Sequence, residues 1–367
     1  MSFTPPPYPY ERLDGVRDLA ARHEGGAIDC SFGTPVDAPP EFVIAELARA
    51  AGARGYPTSA GSPAYREAAS QWLGRRFGVT LDATDLASCV GTKEFVASLA
   101  GYLHLRDETR DTVLYPSVSY PTYAMGATLA GLRAVAVPLV DGRLDLGSIA
   151  PADARRALVL WSNSPSNPTG ALDDLAAVAA WGREAGVLVA SDECYSDFTW
   201  DQPARSVLQE GLEGVLAVHS VSKRSNLAGL RAGFYAGDRA VVSYLRSVRQ
   251  HAGLMVAGPV QAAVALAYGD DAHVEVQRQR YWGRLCVLAS ALRAAGVDAP
   301  LPEGGFYLWC RREGLDAWQL AAHLAEVAGL VASPGDLYGE GGDHVRLAVV
   351  QPDERIALAA ARLRASA

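Results

Sequence analysis

From about residue 41 the chain alternates two patterns. Short apolar runs recur: TVLY (112–115), RAVAVPL (133–139), ALVLWS (157–162), GVLVAS (186–191) and GVLAVHS (214–220). They are continuous rather than alternating, as in strands buried on both faces. Between several of them lie segments with apolar residues three and four apart: KEFVASLAGYLHL (93–105), PTYAMGATLAG (121–131) and DDLAAVAAWGREAG (173–186). Earlier, SPAYREAASQWLGRRFG (62–78) reads as a helix with Ser62 as N-cap, Pro63 in the first turn and Gly78 at its end. Strands alternating with amphipathic helices predict a parallel or mostly parallel sheet covered on both sides.

After about residue 238 the pattern turns mainly helical, with a long stretch over 271–295. Two strand-like pieces follow, GGFYLWCR (304–311) and HVRLAVV (344–350), then a last helix from Asp353. This reads as a smaller α+β domain. The expected division is an N-terminal arm with part of the small domain (1–40), a large domain (41–265) and a small C-terminal domain (266–367). The Pro-rich start, MSFTPPPYPYERLDG, reads as an extended arm and lacks the basic and apolar regions of a secretory signal.

Bulk properties narrow the classes. At 367 residues and 49% apolar the chain can bury a sizeable core. A formal charge of −8 argues against nucleic acid or an anionic membrane as partner. No apolar run reaches the length of a membrane helix. Five scattered cysteines without a Cys-x-x-Cys pair fit buried thiols in a reducing cytoplasm. Seven dispersed histidines indicate no metal site; His219 and His251 read as packing or hydrogen-bonding residues.

Of 33 basic residues, two are lysines, Lys93 and Lys223. Arginine substitutes for lysine on a solvated surface, but guanidinium cannot lose its proton and attack a carbonyl. Lys223 is therefore a candidate for amine chemistry, and its surroundings must decide. In open α/β sheets ligands bind beyond the carboxyl ends of the strands. There lie SNSPSNPTG (162–170), SDECYSDF (191–198) and HSVSKRSN (219–226), together with CVGTKE (89–94) and YPSVSYPTY (115–123). Singly each could be a turn or a cap. Together they meet the needs of pyridoxal phosphate. Its phosphate needs backbone N–H groups at a helix start, for which Gly91, Thr92 and Lys93 are candidates, plus hydroxyls and a cation, for which Ser220, Ser222 and Arg231 are candidates. The ring nitrogen needs a carboxylate, Asp192; the ring oxygen needs donors, Asn167 and Tyr195. The ring face needs an aromatic platform, Tyr120, and the aldehyde carbon a lysine, Lys223.

The order Asn-Pro-Thr-Gly (167–170), Asp-x-x-Tyr (192–195), Ser-x-Ser-Lys (220–223) and Arg231 resembles the fold-type I aminotransferases of class I/II over nearly the whole chain. The resemblance implies the aspartate-aminotransferase-like fold, a large domain with a mostly parallel sheet flanked by helices plus a smaller α+β domain. It implies that Lys223 forms the Schiff base and shuttles the proton, with Asp192 and Tyr195 also catalytic. Arg346, in HVRLAVV, would grip the substrate α-carboxylate. Gly33, in SFGTP, would close over the substrate beside Asn167. Tyr56, in GYPTSAG, would reach the phosphate of a neighbouring subunit, which implies a homodimer with shared sites. One departure is Ser164-Pro165, where many members have Asn-Pro ahead of the second Asn-Pro pair.

A narrower resemblance, carried by GTPVD (33–37) and HAGLMVAGPVQAA (251–263), is to actinobacterial-type succinyldiaminopimelate aminotransferases. It implies amino transfer between N-succinyl-L,L-2,6-diaminopimelate and 2-oxoglutarate in lysine biosynthesis. Arg249, His251 and the N-terminal arm are candidates for the distal carboxylate or succinyl group. The cofactor residues leave open an aminotransferase of other specificity (aspartate, aromatic or specialised amino acids), a lyase on the same fold, and a non-catalytic cofactor-binding regulator.

Overall fold

The computed structural model describes residues 4–6 and 9–366. Residues 1–3, 7 and 8 of the expected extended arm lie outside the described residues. Where description resumes, Pro9–Leu13 is a 3-10 helix and leads into the α-helix Asp14–Ala20.

The chain forms two compact units. The larger comprises 37–279 and 303–305, the smaller 1–36, 280–302 and 306–367. The division at Gln279/Arg280 falls inside the continuous helix Ala272–Ala294.

The larger unit is built on a seven-stranded sheet. Its order across the sheet is Leu86–Cys89, Gly233–Gly237, Val215–Ser220, Leu188–Asp192, Ala157–Asn163, Thr112–Pro116 and Arg133–Val137. Strand Gly233–Gly237 is antiparallel to both neighbours and the remaining pairs are parallel. Ala157–Asn163 and Val215–Ser220 are buried throughout, which is why they read as continuous apolar runs. Side chains alternate between two cores. Val189, Val215 and Ala217 join Tyr65, Trp72, Phe77 and Phe234 on one face. Ala190, Leu216 and Val218 join Phe95, Leu99, Tyr123 and Trp161 on the other.

Local chemistry sets the helix ends. Ser62 Oγ accepts the N–H of Tyr65 at 3.2 Å, Pro63 opens the helix Pro63–Phe77, and Gly78 ends it at φ +69°. Asp174 caps Leu175–Ala185 through Ala177 N–H at 3.0 Å.

In the smaller unit, Tyr307–Cys310, Val345–Ala348 and Ser333–Pro334 form an antiparallel sheet with Val345–Ala348 in the middle. Ile28–Asp29 pairs in parallel with Leu330–Val331. Helix Ala317–Ala328, begun by an Asp316/Gln319 capping box, was not anticipated from the pattern.

Candidate active site

Five strands, Leu86–Cys89, Thr112–Pro116, Ala157–Asn163, Leu188–Asp192 and Val215–Ser220, run in the same direction, so their carboxyl ends share one edge of the sheet. The five polar segments of the sequence follow these ends.

Asp192 is the last residue of its strand and is buried. Its Oδ2 accepts the hydroxyl of Tyr123 at 3.0 Å and its Oδ1 accepts the N–H of Cys194 at 3.2 Å. Burial raises its pKa above the ordinary 3.8, partly offset by the Cys194 thiol and N–H, by the Tyr123 hydroxyl and by His219. Cys194 Sγ lies 3.4 Å from Thr92 Oγ1, which ties the start of helix Thr92–Arg106 to this strand end. Burial pushes the Cys194 thiol well above its ordinary range.

Gly91 precedes that helix at φ +75°. A Cβ there would collide with the guanidinium of Arg231, so glycine lets the arginine lie on the loop backbone. Arg231 itself adopts φ +50° and donates through Nη1 to Ala228 O at 2.8 Å. A left-handed arginine is uncommon and marks a position held by its surroundings. Lys93 Nζ stands 6.0 Å from the Tyr120 ring centroid, and Tyr120 meets Tyr123 edge-on at 6.1 Å. Ser220 caps the short helix Val221–Arg224; its hydroxyl accepts Ser222 N–H at 2.9 Å and donates to Ser222 Oγ at 2.7 Å. Half-buried Lys223 follows directly.

Asn167 is buried, and its N–H donates to Asn163 Oδ1 at 2.8 Å. Asn163 Nδ2 in turn donates to the carbonyl of Asp192 at 2.8 Å. Tyr195 is buried and opens the turn Ser196–Phe198. Tyr56 is 98% exposed on a surface loop.

In the smaller unit, Arg346 is buried on the central strand. Its guanidinium lies over the rings of Tyr307 and Tyr338, at 4.3 and 4.9 Å, and Nη2 donates to the carbonyl of Ser31. Tyr338 Oη is 3.0 Å from Tyr10 Oη. Gly33 lies against Tyr307, whose hydroxyl leaves no room for a Cβ.

Comparison with known proteins supplies the family. The profile for "Aminotransferase class I and II" matches residues 28–363. The chain belongs to the class I and II aminotransferases. It is thus a pyridoxal-phosphate-dependent transaminase of the aspartate-aminotransferase-like fold. It is 44% identical to the 4-dedimethylamino-4-oxo-anhydrotetracycline transaminase OxyQ of Streptomyces rimosus, over 98% of this chain and 99% of that one. It is 35% identical to the LL-diaminopimelate aminotransferase of Desulforudis audaxviator, over 98% and 95%. Its structure matches that of a probable N-succinyldiaminopimelate aminotransferase from Thermus thermophilus with a TM-score of 0.88, at 32% identity and covering 98% and 100%.

The residues of the aminotransferase fit the cofactor. The buried Asp192 carboxylate, raised by desolvation and held by two neutral donors, suits a cationic ring N–H. The Gly91–Arg231 contact brings a fork of N–H donors onto a helix start, which suits a phosphate. Among the described residues no cluster of His, Cys, Asp or Glu could hold a metal ion, and no helix is long and apolar enough to cross a membrane.

Sequence reasoning missed two supporting residues. Tyr123 lies three residues after Tyr120, at the start of helix Thr122–Leu129, and that spacing could have paired them. Arg224, beside Lys223, is buried between Trp72 and Tyr268 at 5.3 and 5.2 Å. It donates to Asp197 Oδ2 at 3.1 Å and to Ala267 O at 2.7 Å, anchoring the turn that carries the lysine. The distal-carboxylate candidates fare differently. Arg249 is buried with both terminal nitrogens on Glu94, so it is no substrate donor, and His251 is exposed at a helix end.

Proposed function

We propose that this aminotransferase moves an amino group between glutamate/2-oxoglutarate and N-succinyl-L,L-2,6-diaminopimelate, by ping-pong kinetics, in lysine and diaminopimelate biosynthesis. The observation that carries amino transfer at this site is the buried Asp192 carboxylate, beside the strand end that leads into Lys223. The relatives named for diaminopimelate substrates support the substrate class.

Bound pyridoxal phosphate supplies an aldehyde and an electron-poor pyridinium that weakens the bond to the substrate's α-hydrogen. Asp192 would keep the ring nitrogen protonated, its carboxylate oriented by Tyr123 and the Cys194 N–H. Asn167 and Tyr195 would hold the ring oxygen, and Tyr120 would support the ring. Gly91, Thr92, Lys93, Ser220, Ser222 and Arg231 would hold the phosphate. Lys223 Nζ accepts and returns the proton at the substrate's α-carbon. Arg346 takes the α-carboxylate as a two-pronged donor, with the Gly33 backbone over the substrate. The exposed Tyr56 ring belongs to a homodimer in which each subunit completes its neighbour's phosphate site. Five free thiols support a cytoplasmic location.

A second reading is amination of a ketone on a larger, specialised substrate; the 44% identity to the 4-dedimethylamino-4-oxo-anhydrotetracycline transaminase favours it. One assay separates the two. Purified protein is offered glutamate with a panel of oxo acceptors, and in reverse 2-oxoglutarate with succinyl-diaminopimelate, LL-diaminopimelate, aspartate, aromatic and branched donors. We expect succinyl-diaminopimelate to exceed the others in kcat/KM by orders of magnitude. A different preferred donor would remove the substrate assignment and leave the roles of Lys223 and Asp192 standing.

A further inference from the structure

Arg249, near the end of helix Arg239–His251, is a buried charge outside the chemistry above. Its Nη1 and Nη2 donate to the two carboxylate oxygens of Glu94 at 2.9 and 2.7 Å. The guanidinium lies over Phe95 and Tyr235, at 5.3 and 5.7 Å. Glu94 is the third residue of helix Thr92–Arg106. Its Oε2 also accepts Val90 N–H at 3.3 Å, and its Oε1 accepts the Ser98 hydroxyl at 3.0 Å. Glu94 thus reaches back across Gly91–Lys93 and pins the residue before them.

This arrangement carries a conflict. A carboxylate in the first turn favours the helix, because it meets the positive end of the backbone dipoles. The same field is what a phosphate at Gly91–Lys93 needs. A bare Glu94 would compete with the phosphate and repel it. A two-pronged guanidinium cancels that charge and holds both oxygens in place. Burying a guanidinium is costly, and an apolar residue would pack there with less penalty. The charge is explained by what lies next to it.

We propose that Arg249 is a positioning residue for the cofactor phosphate. Through Glu94 it holds the Val90–Lys93 backbone and removes the negative charge that would oppose phosphate binding. The proposal rests on reading Gly91, Thr92, Lys93 and Arg231 as the phosphate site.

The test compares dissociation constants of the full-length apo-protein for pyridoxal phosphate and for pyridoxal, which lacks the phosphate. The ratio of the constant for pyridoxal to that for pyridoxal phosphate isolates the phosphate contribution. Arg249→Met should weaken pyridoxal phosphate by roughly ten-fold or more while changing pyridoxal by less than about two-fold. Removing the carboxylate as well, in Glu94→Gln/Arg249→Met, should restore most of the ratio. If Arg249→Met does not fold, Arg249→Gln, which keeps a donor but not the charge, takes its place with the same expected loss. Equal weakening of both ligands, or no weakening, would overturn the proposal, as would a double variant as poor as the single one. Arg231→Met is the reference. If it leaves the ratio unchanged, the phosphate-site reading itself fails; if it lowers the ratio while Arg249→Met does not, only the role of Arg249 falls.

Discussion

An amine at position 223 can be deprotonated and can attack a carbonyl; no arginine in its place could do either. Lys223→Ala should lower amino transfer by roughly a thousand-fold or more, with the far-ultraviolet circular dichroism unchanged. Near wild-type turnover would refute the assignment. Asp192 allows a test that does not depend on turnover. Its folded-state pKa is raised, chiefly by burial. A carboxyl with a raised folded pKa favours the fold while protonated, and that contribution is lost as pH rises from its ordinary 3.8 through the raised value. Asp192→Asn removes this dependence. The Tm of the apo-variant minus that of apo wild type should therefore increase with pH across that window and level off above it. A flat or falling difference in scanning calorimetry would show that Asp192 is not strained by burial. Activity should move the opposite way, because an uncharged side chain cannot keep the ring nitrogen protonated.

The turn carrying Lys223 is a single short helix, Val221–Arg224, too short to be stable alone. Its neighbour Arg224 supplies the anchor, stacked between Trp72 and Tyr268 and bonded to Asp197. Arg224→Met should destabilise the protein by about 3–5 kcal/mol, since it takes from buried Asp197 its most enclosed partner. Denaturant unfolding would measure this, and a loss below about 1 kcal/mol would mean the pair is dispensable. At this scale much was legible beforehand. Ser62, Pro63 and Gly78 delimit a helix by local rules of capping and backbone angle. Strand Gly233–Gly237 was not, because it pairs antiparallel inside an otherwise parallel sheet and its five residues carry no distinctive period.

Across the whole molecule, the exposed Tyr56 ring motivates the homodimer with shared sites. Sedimentation should give a dimer. Co-expressed Lys223→Ala and Tyr56→Ala subunits should recover about a quarter of wild-type sites, because each mixed dimer has one site free of both lesions. No recovery above the two parent variants would argue against sharing. The division between the two compact units falls within one unbroken helix, with Gly283 inside it and no proline or helix end at the junction to mark it. Such a boundary is set by which partners each helical turn packs on, and those partners are distant in sequence.

What the sequence alone determined is whatever rests on local chemistry or on residue type. That covers the apolar runs, the helix caps, the lysine among arginines, and the aspartate and serines at strand ends. The tertiary structure decided the pairings. Tyr123 reaches Asp192 across 69 residues and Arg249 reaches Glu94 across 155. Each becomes a supporting residue only through strand order and helix packing. An isolated tyrosine or arginine in a sequence carries no sign of its partner. A buried polar group must find one, and which one it finds depends on the fold.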